Sequence, residues 1–160
     1  MYSIEVRDLT KEFNGFKAVD KISFVVKSGE IFGLLGPNGA GKTTTIRMLT
    51  GIFKPSGGTA SVGGYDMQRD MLKAKQLMGI VPEMTNAYED LSALMNLSLM
   101  GELYGMRKRE RKEKAENLLS LFGLYERRNS KVKTFSKGMR QRLIVAMGLI
   151  NDPRLLFLDE

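Results

Sequence analysis

Gly36-Pro37-Asn38-Gly39-Ala40-Gly41-Lys42-Thr43 fits the pattern G-x-x-x-x-G-K-[ST]. Ahead of it, Ile31-Phe32-Gly33-Leu34-Leu35 is a short apolar run that reads as a buried strand. Behind it, Thr44-Thr45-Ile46-Arg47-Met48-Leu49 reads as the start of a helix. Strand, glycine loop and helix together are the setting of a phosphate-binding loop. Glycines let backbone amides curl around an anion, because no side chain blocks the approach and positive φ is accessible. The helix N-terminus adds N–H groups and a partial positive charge. In this pattern Lys42 reaches the β- and γ-phosphates of a nucleotide, and the Thr43 hydroxyl is a Mg²⁺ ligand.

The chain of 160 residues is one domain's worth, with 42% hydrophobic and 27% charged residues, as in an ordinary soluble protein. It has no apolar run long enough to cross a bilayer and no basic-then-apolar leader after Met1. With no cysteine and no histidine, it holds no disulfide, no thiolate metal site and no imidazole base. A cytoplasmic location is expected. The net charge of +7 is uneven: residues 107–114 are mostly basic, and every charged residue from Arg127 to Arg142 is basic. Such runs face either an anionic ligand or solvent.

Outward from the loop, residues 3–9 and 22–26 alternate as strands, with a turn over 10–15 ending in Asn14-Gly15. Thr59–Val62 is a short strand turned by Gly63-Gly64, residues 67–77 read as a helix, and Met78–Val81 is a strand stopped by Pro82. Met67, Met71, Leu72 and Leu77 are the candidate inward positions of that helix. From 84 to 150 strand signals nearly vanish. Ser92 and Ser136 stand as helix caps, and a further helix spans 108–122. Leu155-Leu156-Phe157-Leu158-Asp159-Glu160 reads as a buried parallel strand ending in two carboxylates, at the end where ligands sit in open α/β sheets.

Three stretches in fixed order now stand together: the glycine loop, Phe135-Ser136-Lys137-Gly138-Met139-Arg140-Gln141-Arg142, and the closing Leu-Leu-Phe-Leu-Asp-Glu. On these the whole chain resembles the nucleotide-binding domains of ABC transporters. The loop matches their Walker A motif, residues 135–142 resemble the signature motif usually written LSGGQ, and the ending resembles Walker B with the catalytic glutamate. The resemblance implies an α/β fold. Its parts are a P-loop NTPase core, an N-terminal antiparallel β element and an inserted helical subdomain, divided as 1–83, 84–142 and 143–160. It implies ATP and Mg²⁺ as ligands. Phosphate contacts then come from Gly36, Pro37, Asn38, Gly39, Ala40, Gly41, Lys42, Thr43 and Thr44, and across a dimer from Ser136 and Gly138. Thr43, Glu83 and Asp159 form the metal site, Glu160 activates water, and Phe13 or the nearby Phe16 stacks on adenine.

The signature here is Ser136-Lys137-Gly138-Met139, and Val81-Pro82-Glu83 places Glu where the family's Q-loop has Gln. Both departures resemble exporters of drugs, antibiotics and polysaccharides, whose ATPase and membrane subunit are separate chains. The partners so implied are an integral membrane subunit at the inner face of the cell membrane and a second copy arranged head to tail. The family's D-loop and switch histidine are not in the sequence. The chain is therefore expected to be the N-terminal portion of such a domain, binding ATP with little turnover by itself. A soluble ABC-type ATPase acting on nucleic acid or ribosomes is the alternative that the positive charge leaves open, although a single P-loop and the exporter-like signature speak against nucleic acid.

Overall fold

The computed structural model describes residues 2–82 and 87–159. Met1–Met78 and Gly79–Glu160 form two compact units. In the first, β1 (Tyr2–Phe13) and β2 (Phe16–Lys27) make an antiparallel hairpin. Its turn is the two residues Asn14 and Gly15, both at positive φ (46° and 83°). That is the conformation whose twist matches the flanking strands, and Asn-Gly is the pair that tolerates it. The strand therefore runs on to Phe13, four residues into the stretch expected as turn. β3 (Gly57–Val62) pairs antiparallel with β1 and with β4 (Tyr65–Asp66), giving the order β2-β1-β3-β4. A bulge at Asp8 (φ 47°) shifts the register between Val6 and Leu9. Gly58 lies on that bulge so closely that a Cβ there would sit 2.2 Å from the Asp8 carbonyl oxygen.

Helix α1 (Lys42–Leu49) packs on β2 and β3 and buries Thr45, Met48 and Leu49, and Val6, Val19 and Val62 of the sheet are buried as well. Two expectations fail in this unit. Residues 31–35 form no strand: Ile31 is 100% and Leu35 95% exposed. A strand exists only through a neighbour that takes its N–H and C=O groups. Among the described residues, no strand pairs with this run. The helix expected over 67–77 is also shorter, α2 (Met71–Gln76), and it buries Ala74 while Leu72 faces solvent. Met67, before the helix, is buried as expected.

The second unit is built on α3 (Ala93–Leu103), α4 (Lys108–Leu121) and α5 (Lys137–Gly148). Their shared core includes Leu97, Leu119, Leu124, Val132, Leu143 and Ile150, all fully buried. Ser92 and Ser136 do cap α3 and α5, each hydroxyl accepting from the N–H three residues on. Strand β5 (Met78–Val81), which begins at the last residue of the first unit, pairs with β6 (Leu155–Leu158). Only Phe157 of β6 is buried, while Leu156 and Leu158 are exposed, so the closing run is a half-buried strand rather than a fully buried one.

The backbones of β5 and α5 meet at two glycines. A Cβ on Gly79 would lie 2.0 Å from the Gly148 carbonyl oxygen and 2.8 Å from Pro153 Cγ. One on Gly148 would lie 2.9 Å from Val81 Cγ2. Gly79→Ala is expected to cost about 1–3 kcal/mol, the usual range for forced overpacking. Urea unfolding reads this as a lower midpoint at unchanged slope. An unchanged midpoint would mean that strand and helix separate freely.

Candidate nucleotide site

The glycine loop has the backbone its sequence calls for. Gly39 and Gly41 both sit at φ +83°, a left-handed conformation that costs other residues more. At Gly41 space is also decisive, because a Cβ would lie 2.4 Å from the Ala18 carbonyl oxygen on β2. At Gly39 a Cβ would meet nothing within 4 Å, so only its conformation demands glycine. Ala40 donates to the Pro37 carbonyl at 3.2 Å, closing the tip of the loop. Pro37 and Asn38 are exposed, while Lys42, Thr43 and Thr44 are half-buried at the helix start.

The first intrahelical bond runs from Thr45 N–H to the Gly41 carbonyl at 2.8 Å, and the Thr45 hydroxyl donates to the same oxygen at 2.9 Å. The amides ahead of that bond are not used by the helix. No acidic residue stands in the first turn to oppose an anion, and Arg47 in the last turn complements the other pole. Lys42 folds back over the loop, its ammonium donating to the carbonyls of Gly36 (2.8 Å) and Pro37 (3.0 Å). Residues 36–44 thus form one positively poled cradle with a half-buried cation, a donor set that fits a phosphate chain.

Phe13 ends β1 and is 39% exposed, and Phe16, its cross-strand partner, is 68% exposed. The Phe13 ring meets Phe53 edge to face, with centroids 5.4 Å apart. Sequence reading missed Phe53, because a contact spanning the whole loop and helix leaves no local signal.

In the second unit, Ser136 and Gly138 are both exposed on the first turn of α5, and a Cβ at Gly138 would meet open space. What precedes them is stitched to residues 89–94. Val132 donates to the Leu91 carbonyl, Lys133 to that of Glu89 and Leu94 to that of Arg128, each at 3.0 Å. Arg140 pairs with Glu89 and Lys133 with Asp90. The Lys133 ammonium, by hydrogen bond first and charge second, holds the Asp90 carboxyl below its usual value. Asn96, fully buried, clasps Tyr88 by donating to its carbonyl (3.0 Å) and accepting from its N–H (2.8 Å). Part of the basic run 127–142 is therefore spent on holding the start of α5. Asp159 follows β6, its N–H donating to the Val81 carbonyl at 3.0 Å. Glu83 and Glu160 lie outside the described residues. No helix among the described residues is long and apolar enough to cross a membrane.

The chain is similar to the linearmycin resistance ATP-binding protein LnrL of Bacillus subtilis, with 42% identity over 98% of this chain and 50% of that protein. It is 41% identical to the daunorubicin/doxorubicin resistance ATP-binding protein DrrA of Streptomyces peucetius, over 99% of this chain and 48% of the relative. The chain spans about half the length of the curated relatives it matches. Among solved structures, the ATP binding subunit of an ABC transporter superposes with a TM-score of 0.87 at 32% identity, over 98% of this chain and 65% of that one. The cbiO1 protein of Clostridium perfringens, part of the ABC transporter complex cbiONQ, gives 0.85 at 25% identity, over 99% and 65%. The family model described as ABC transporter matches residues 19–160, and with the cradle, the capped α5 and this α/β fold the chain belongs to the ABC transporter family.

Proposed function

We propose that this chain is the ATP-binding part of a transporter's ATPase subunit, working with a separate integral membrane subunit at the inner face of the cell membrane. The observation that carries the reading is the cradle at residues 36–44, with left-handed glycines, a helix start with no acidic residue in its first turn and Lys42 held over the loop. Phosphates of ATP lie against these amides and Lys42, and the adenine stacks on Phe13. Thr43 at the helix start would hold Mg²⁺, which when bound would neutralise charge on the phosphates, and Asp159 and Glu83 are carboxylates of the kind that ligate it. Glu160 takes the proton of the attacking water. Ser136 and Gly138 close on the nucleotide of a second copy in a head-to-tail dimer. The drug-resistance names of relatives and the Ser-Lys-Gly-Met signature favour export.

The test is thermal unfolding with and without Mg-ATP. Ligand at about 100 times its Kd adds about 2.7 kcal/mol to a folded site. A rise in Tm is expected with ATP. A cooperative transition that ATP does not move would overturn the reading.

A further inference from the structure

Phe53 and Lys11 enclose Phe13 from two directions. Phe53 stands edge to face with it, at an interplanar angle of 75°. Lys11 Nζ lies over the Phe13 ring, 4.9 Å from its centroid, and 5.8 Å from that of Phe53. Neither neighbour is loose. The Lys11 ammonium donates to the Lys54 carbonyl at 2.8 Å. The Phe53 N–H donates to the Arg47 carbonyl at 2.9 Å, and the Arg47 guanidinium carbon lies 5.7 Å from the Phe53 ring centre.

We propose that Phe53 and Lys11 are positioning residues that brace the Phe13 ring for one purine, so that the base is received on the face that Lys11 does not cover. The proposal rests on the reading that Phe13 stacks on adenine. Its physical basis is preorganisation. An aromatic at the end of a strand loses side-chain freedom when a base stacks on it, and a ring already fixed by an edge contact and a cation loses less. Phe53 also hangs from the C-terminal end of α1, whose N-terminal end is the phosphate cradle. One short helix therefore carries the brace for the base and the amides for the phosphates.

The experiment compares ATP with inorganic tripolyphosphate, which has no base, by titration calorimetry on the purified chain. Phe13→Ala is expected to weaken ATP by about 5- to 150-fold, the range for loss of one base–aromatic stack. Phe53→Ala is expected to weaken it by about 2- to 12-fold, and Lys11→Met by about 2- to 5-fold. Tripolyphosphate affinity stays within about twofold throughout, which also shows that the variants are folded at the cradle. Phe13→Ala/Phe53→Ala binds ATP no worse than Phe13→Ala, and Phe53→Tyr restores binding.

Unchanged ATP affinity in Phe13→Ala would overturn the stacking reading and the brace together. A loss in Phe13→Ala with none in Phe53→Ala would overturn the brace alone. So would additive losses in the double variant, or a Phe53→Ala loss shared equally by tripolyphosphate.

Discussion

Glu160→Gln is expected to slow ATP turnover by roughly 10²–10⁴-fold, the range for loss of a positioned general base, and to leave ATP binding intact. Gln has the shape of Glu but no basic oxygen for the proton of the attacking water. In phosphoryl transfer the protein acts mainly by orienting the nucleophile and stabilising charge, so one lost acceptor touches the rate and not the affinity. The neighbouring Asp159 is tied to the end of β5 through the Val81 carbonyl, which fixes where the chain leaves β6. The measurement is phosphate release at saturating Mg-ATP, in a protein that carries the remainder of the length its relatives have, with bound nucleotide quantified in parallel. Turnover at the wild-type rate would remove Glu160 from the chemistry.

Lys42→Ala is expected to weaken ATP by about 10- to 150-fold, equivalent to about 1.5–3 kcal/mol for a lost charge-assisted hydrogen bond. The ammonium holds the Gly36 and Pro37 carbonyls at 2.8 and 3.0 Å, so its removal also frees the rim of the loop. The fold should survive, because the side chain is only half-buried and lies outside the apolar core. Calorimetry with ATP measures the affinity, and thermal unfolding without ligand checks the fold. Unchanged affinity would exclude the cradle as the phosphate site. Lost affinity with a Tm near that of the wild type would place the effect on ligand contact.

Local chemistry was the part of this molecule most open to sequence reading. Asn14-Gly15 encodes its turn, Ser92 and Ser136 encode their caps, and Gly39 and Gly41 encode left-handed backbone. Each is a constraint between residues a few positions apart. The errors fall where the outcome depends on distant partners. The run 31–35 has the hydrophobicity of a buried strand, but apolar character says nothing of which neighbour will accept its hydrogen bonds. Leu72 was expected inward by period, but a six-residue helix has room to bury little more than Ala74. Phe53 in the Phe13 pair and Asn96 in the Tyr88 clasp act across chain separations that no periodicity reveals.

The meeting of Gly79 with Gly148 has a consequence for leverage. It pins α5 at its C-terminal end, and Ser136 caps the other end, 12 helical residues away. At 1.5 Å per residue the arm is about 18 Å long, so a tilt of about 10° at the pinned end carries Ser136 through about 3 Å. That is roughly the length of one hydrogen bond. The placement of Ser136 is thus sensitive to the fit of two glycines at the far end of its helix, as well as to the bonds that hold the start of α5.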